Sequence, residues 1–148
     1  MYNKIEKIER KCTVCLKPIT VDQYGQGECQ HCGWYNNEMG NEQPDTVISP
    51  NLIPLNKARR LVKEGLPFTP SFEDFIGAFN FYGEVRFDYN GKGYGVVRAD
   101  DEDGIEFFES HTDNAQFFNN TEEFAAKANV NGVLLKDLWH EVKNPGYM

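Results

Sequence analysis

Two pairs of cysteines, Cys12-x-x-Cys15 and Cys29-x-x-Cys32, separated by thirteen residues, constrain this 148-residue chain more than anything else in it. Each pair presents two thiols from one tight turn. Two such turns facing each other make the tetrahedral four-sulfur shell that Zn²⁺ prefers. The spacing is slightly shorter than the usual C-x₂-C-x₁₅₋₂₀-C-x₂-C pattern and is sufficient for a short ribbon. Four thiolates close the shell and leave no position for water, so the expected zinc is structural, not catalytic. His31, between the last two cysteines, is a competing ligand that in such turns more often points outward. A rubredoxin-like iron site uses similar pairs with a glycine after each. Here Gly33 follows Cys32 but Leu16 follows Cys15, which argues against electron transfer.

Composition divides the chain. All eleven phenylalanines lie at or after Phe68, and all four cysteines lie before it. A segment with few large apolar residues needs a staple, and a metal supplies one. Charge divides the same way. Residues 1–66 carry nine Lys/Arg and eight Asp/Glu, a net of +1, while residues 67–148 carry six and fifteen, a net of −9. The second part therefore repels polyanions and attracts basic partners. These divisions predict a zinc-ribbon module over residues 1–66 and an acidic α+β module over residues 67–148. The sequence shows neither a membrane-length apolar run nor a signal peptide, and C-x-x-C pairs in such a chain read as metal ligands. A cytoplasmic protein is expected.

Ile5 and Ile8 among charged residues suggest a short N-terminal turn or helix. Ile19 and Val21 alternate with polar residues as a strand would, and Gly25 and Gly27 fall where the ribbon reverses. Residues 36–51 read as a polar loop. Leu55, Ala58, Leu61 and Val62 predict a helix over residues 55–64, with Pro54 in its first turn and Gly65 at its end. Thr69 is the expected cap of the next helix, with Pro70 at its first position and Phe72, Phe75, Ile76 and Phe79 on its apolar stripe. The period then changes to two. Val85–Tyr89, Tyr94–Arg98 and Ile105–Glu109 read as three strands, the first two joined by an Asn90-Gly91 hairpin turn. Residues from Thr121 begin a capped helix. Leu134, Leu135, Leu138, Trp139 and Val142 suggest a final amphipathic helix stopped by Pro145 and Gly146. The expected fold class is α+β: an N-terminal zinc ribbon, then a three-stranded antiparallel meander packed with helices.

Beyond the cysteines, few residues carry chemistry. Trp34 and Tyr35, after the second cysteine pair, could stack on a base or peptide if exposed, although a tryptophan there more often fills the ribbon's small core. Lys57, Arg59, Arg60 and Lys63 form a basic cluster on one helix. Asp100, Asp101, Glu102 and Asp103, followed by Glu106 and Glu109, are the candidate docking acids. They do not form an EF-hand, because Ala99 and Ser110 fall at its first and last ligand positions. His111 and His140 have no partner at a dyad or triad spacing, and there is no phosphate loop or dinucleotide fingerprint. No enzymatic signal is present.

Cys12-Thr13-Val14-Cys15, then Cys29-Gln30-His31-Cys32-Gly33-Trp34, a polar loop and Leu55-Asn56-Lys57-Ala58-Arg59 together resemble the bacterial cysteine-rich CPCC domain over residues 10–64. That family typically has a Cys-Pro-Cys-Cys first knuckle, and Thr13 and Val14 stand here in place of its proline and extra cysteine. The four-sulfur shell is kept. Some members lie near toxin–immunity loci. The second half is similar to small domains of Gram-positive bacteria and their phages, through Tyr89-Asn90-Gly91-Lys92 and the closing Val130-Asn131-Gly132 to Val142 segment. The resemblance and the charge division imply a non-enzymatic module with structural Zn²⁺ that docks a basic protein, as an immunity or inhibitor protein would. The alternatives are a nucleic-acid-binding ribbon using Trp34, Tyr35, Lys57, Arg59, Arg60 and Lys63, and a redox or metal sensor using the cysteines.

Overall fold

The computed structural model describes residues 6–99 and 104–148. The chain divides into two compact units, Met1–Thr69 and Pro70–Met148. The seam lies beyond the composition break because Phe68 meets Trp34 edge-on, with ring centroids 5.9 Å apart, inside the first unit.

In the first unit, β1 (Lys7–Lys11) and β2 (Pro18–Asp22) form an antiparallel hairpin, and β3 (Gly27–Glu28) pairs with β4 (Tyr35–Asn36). The segment around Ile8 is thus a strand, not the helical turn expected: Ile8 pairs with Val21, and Arg10 with Ile19. Residues 36–51 are not all loop. Asn37 accepts a hydrogen bond from the Gly40 N–H and caps α1 (Glu38–Glu42), a local use of Asn that competes with turn formation. The expected second helix is α2 (Leu55–Lys63). Gly65, at φ +71°, ends it, and the Leu66 N–H returns to the Leu61 carbonyl. Leu55 and Ala58 are buried, with Leu61 and Val62 packed against Cys12, Val14, Ile19, Val21, Cys29, Trp34 and Ile53. The buried cysteines are part of this core.

The second unit is a five-stranded antiparallel sheet covered on one face by helices. Its elements are α3 (Phe72–Tyr82), β5 (Glu84–Tyr89), β6 (Lys92–Arg98), β7 (Ile105–Glu109), β8 (Ala115–Phe118), α4 (Thr121–Lys127), the short pair β9 (Asn129–Val130) and β10 (Val133–Leu134), α5 (Leu135–Leu138), a 3₁₀ turn (Trp139–Glu141) and β11 (Lys143–Tyr147). The strand order is β11-β5-β6-β7-β8. The three expected strands are its centre, and β8 and β11 extend it on either side. The α+β class holds, while the sheet is larger than a meander of three.

The differences have local causes. Ser71, not Thr69, caps α3: its hydroxyl accepts from the Asp74 N–H, and the Asp74 carboxylate accepts from the Ser71 N–H. This reciprocal pair outcompetes the simpler cap two residues earlier. Pro145 and Gly146 do not stop a helix. The helical turn ends earlier, Val142 is extended, and Pro145 sits in the edge strand β11 where the register shifts, a position that tolerates a missing N–H. Asn90 and Gly91 both have positive φ (51° and 79°), as a type I′ turn requires. On the helix-covered face, Trp139 lies against Phe72, Phe75 and Phe87, with ring centroids 5.6, 4.7 and 5.8 Å away. Its indole N–H donates to the Pro70 carbonyl at 3.0 Å. Phe107 and Phe118 pack edge-on against Phe124 of α4.

Candidate metal centre

The two cysteine pairs occupy two turns with the same backbone hydrogen bonding. In the first, the Leu16 N–H donates to the Cys12 carbonyl (2.9 Å) and the Cys12 N–H to the Lys17 carbonyl (2.9 Å). In the second, the Gly33 N–H donates to the Cys29 carbonyl (2.8 Å) and the Cys29 N–H to the Trp34 carbonyl (2.8 Å). Each turn requires positive φ at the residue after its second cysteine. Gly33 supplies this at +84°, and Leu16 adopts +66° despite its side chain. The leucine therefore does not alter the knuckle, and its presence does not separate an iron site from a zinc site through backbone geometry.

The turns bring all four Sγ atoms within 4.8 Å of one another. The Cys12–Cys32 and Cys15–Cys29 sulfurs are 3.7 and 3.6 Å apart. Four sulfurs at tetrahedral positions about 2.3 Å from a zinc ion lie about 3.8 Å apart. The cluster thus has the dimensions of a metal shell. All four cysteines are free thiols; Cys12 and Cys29 are buried and Cys15 and Cys32 half-buried. His31 is exposed and is not a member of the ligand group.

Donors are already aimed at sulfur. The Val14 N–H points at the Cys12 Sγ (3.4 Å), and the His31 and Cys32 N–H groups point at the Cys29 Sγ (3.3 and 3.4 Å). Burial pushes the Cys12 thiol up, but hydrogen bonds from the Cys15 and Val14 backbone, the Asn36 amide and Cys32 outweigh it and bring it down to about 7. Burial pushes Cys15 and Cys32 up, backbone hydrogen bonds from Lys17 and Trp34 oppose this, and the Cys12 and Cys29 sulfurs add to the rise. A divalent cation in the shell favours every thiolate and removes that conflict.

Asn36 is the residue that sequence reasoning missed. It is 3% exposed. Its Oδ1 accepts from the Thr13 N–H and Thr13 hydroxyl, both at 2.9 Å, on the first knuckle. Its Nδ2 donates to the Cys12 Sγ (3.6 Å) and to the Gly27 and Trp34 carbonyls (3.4 Å each). One amide thereby clamps the first knuckle to the β3–β4 hairpin and donates to a metal ligand. Its sequence context, Tyr35-Asn36-Asn37 at the start of a polar stretch, reads as a turn. The only sequence-level hint is its distance of four residues from Cys32.

The remaining candidates are dispersed. Trp34 is 3% exposed and packs in the core with Phe68, so its ring is not an exposed stacking platform. Tyr35 is half-buried, and its backbone N–H and carbonyl are both bonded by the Asn51 side chain. Arg59 is exposed, but its Nε donates to the Thr13 carbonyl (2.9 Å) and its Nη1 to Asn56 Oδ1 (3.0 Å), tying α2 to the first knuckle. Lys57 is half-buried, and Arg60 and Lys63 are exposed on the last turns of α2. Glu106 and Glu109 fall on opposite faces of β7, three residues apart on a strand. Glu109 is bound by Lys92 (3.3 Å), Asn114 (3.1 Å) and the Tyr94 hydroxyl (3.5 Å), and the Asn114 hydrogen bond above all holds its carboxyl below the usual range. Asp100, Asp101, Glu102 and Asp103 lie outside the described residues. His111 and His140 are exposed.

Comparison with protein-family models, curated proteins and solved structures found no match to this chain. The likeness to CPCC domains therefore rests on the cysteine spacing and its flanking residues, and what stands is a four-cysteine cluster able to hold a metal ion. No helix among the described residues is long and apolar enough to cross a membrane.

Proposed function

We propose that the protein is a non-enzymatic, zinc-stapled binding module whose acidic second unit docks a basic protein, in the manner of an immunity or inhibitor protein. Cys12, Cys15, Cys29 and Cys32 would hold a structural Zn²⁺ in a ribbon-like first unit. Four thiolates suit zinc and complete its coordination, so the metal supplies folding energy instead of a reactive water.

The observation that carries the docking reading is the face of the sheet opposite its helices. Strand alternation places Val97, Phe108 and Phe117 opposite the helix-covered Val96, Phe107 and Phe118. Phe117 is 67% exposed. Glu84 and Glu106 flank Val97 in the ladder, with Arg86 the nearby cation. An apolar strip bordered by carboxylates in a unit of net charge −9 suits a partner that is basic and amphipathic. Glu106 belongs to this surface; Glu109 is engaged on the other face.

The test is affinity capture from the cell that makes the protein. Wild type is run beside Glu84→Gln/Glu106→Gln and beside a variant with Asp100, Asp101, Glu102 and Asp103 changed to Asn or Gln. A specific basic protein captured by wild type and lost from either variant supports the reading. Capture of no basic protein, or capture unaffected by both variants, overturns it.

A further inference from the structure

The turn after Cys15 holds a leucine in the left-handed region. Among the described residues, the other positive-φ positions are glycine, asparagine or histidine, the residues that tolerate it best. Leu16 is the exception, and it is 67% exposed. The equivalent turn after Cys32 shows what the fold alone selects there, namely Gly33. A Cβ at Gly33 would meet nothing within 4 Å, so crowding does not explain the difference between the two turns. Leu16 is two-thirds exposed and so gains little burial in return for its strain, and strain of this kind clusters where it serves function.

The surroundings identify what that is. The hairpin and knuckle over residues 7–22 carry Lys7, Arg10, Lys11 and Lys17 against Glu9 and Asp22, in a chain of net charge −8; Lys11 and Lys17 adjoin the knuckle, while Lys7 pairs with Asp22 at the far end of the hairpin and Arg10 lies on the other face of β1 from Lys11. All four cations are exposed. Asp22 is committed to its own turn, accepting from the Tyr24 and Gln26 N–H groups. The hydrogen bond from Arg59 to the Thr13 carbonyl anchors a further guanidinium beside the same knuckle. A protruding aliphatic side chain beside Lys11, Lys17 and Arg59 offers no π-face for a base, and it suits a protein pocket ringed by carboxylates.

We propose that the first knuckle is a second docking surface, with Leu16 as its anchor, for an acidic protein segment that receives the leucine in an apolar pocket. The proposal is independent of the acidic sheet face, which has the opposite charge and lies in the other unit. It is tested by selecting a random dodecapeptide display library on the full-length, zinc-loaded protein. Enriched peptides are then titrated against wild type, Leu16→Gly and Leu16→Asn at low and high salt. Glycine and asparagine both accept the turn, and metal content and thermal unfolding report that each variant is folded. The expected result is enrichment of peptides that combine several Asp/Glu with a large apolar residue. Binding should be salt-sensitive and about tenfold or more weaker for both variants, with metal stoichiometry unchanged. No enrichment, enrichment of basic or uncharged sequences, or equal binding by the variants would overturn the proposal. So would tight binding of a short single-stranded DNA that the Leu16 variants leave unchanged.

Discussion

Replacing Asn36 by Asp exchanges one amide NH₂ for oxygen and little else, so its consequences can be worked from the contacts. The Oδ1 bonds to Thr13 survive. The three donations from Nδ2, to the Cys12 Sγ, the Gly27 carbonyl and the Trp34 carbonyl, become contacts between acceptors. A hydrogen bond to a charged group contributes about 1.5–3 kcal/mol, and loss of a residue that orients a metal ligand typically weakens metal binding by about 10–100-fold. A buried carboxylate beside four thiolates adds like-charge repulsion. The upper end is therefore expected, about a 100-fold loss of zinc affinity, equivalent to about 2.7 kcal/mol. Asn36→Leu separates the two effects. It also lacks the donor, but brings no charge, and leaves the Thr13 N–H without its partner at a cost of about 1–3 kcal/mol. Zinc affinity, read by competition with a chromophoric chelator, should follow the order wild type, Asn36→Leu, Asn36→Asp. If Asn36→Asp binds zinc within a factor of about three of wild type, or more tightly than Asn36→Leu, the clamp role assigned to Asn36 is wrong.

Other outcomes follow from the same contacts. Chelation of the metal should abolish amide protection in residues 6–69 while leaving that of β5, β6 and β7 in place, as read by hydrogen exchange. Metal binding should strengthen as pH rises, because the thiols must lose protons. At pH 7 it should release at least two protons per ion, one each from the raised Cys15 and Cys32, as measured by calorimetry in buffers of different ionisation enthalpy. Leu16→Gly should stabilise the zinc-loaded protein by about 1 kcal/mol, since the left-handed conformation costs a leucine that much or more; a lower denaturant midpoint would contradict the turn geometry. Trp139→Ala should cost about 3 kcal/mol, the low end for a large aromatic because the ring is only half-buried, by removing its packing on Phe72, Phe75 and Phe87, and Trp139→Phe about 1 kcal/mol for the lost bond to Pro70, both read by denaturant unfolding.

Much of this was legible in the sequence where a short-range rule acts alone. The cysteine spacing indicated the cluster, the Leu55–Val62 period indicated α2, and Asn90-Gly91 indicated its hairpin. What was not legible depended on tertiary partners. β1 is a run of charged residues whose strand identity comes from pairing with Ile19 and Val21, not from its own pattern. β11 contains Pro145 and Gly146, local stop signals that an edge strand overrides. The final helix is short because Trp139 is held back to Pro70 and Val142 turns into that edge strand. Asn36 was hidden because an asparagine in a polar stretch is ordinarily a turn residue. Its role appears only when two distant turns are brought onto either side of it.

The two knuckles argue for where to look for function. Their backbone–backbone hydrogen bonds correspond, so the contrast between their side chains points to what each turn faces. After the second, Gly33 relieves the turn and Trp34 goes inward as core. After the first, the equivalent positions are Leu16, strained and outward, and Lys17, exposed. The second knuckle is thus written for folding. The first reaches the same sulfur geometry with a leucine at positive φ, and a metal bound by the four sulfurs would fix that turn against relaxation. On this reasoning the staple does more than compensate for a small core. It would also set the position of an exposed side chain, and losing the metal should remove binding through Leu16 together with the fold of the first unit.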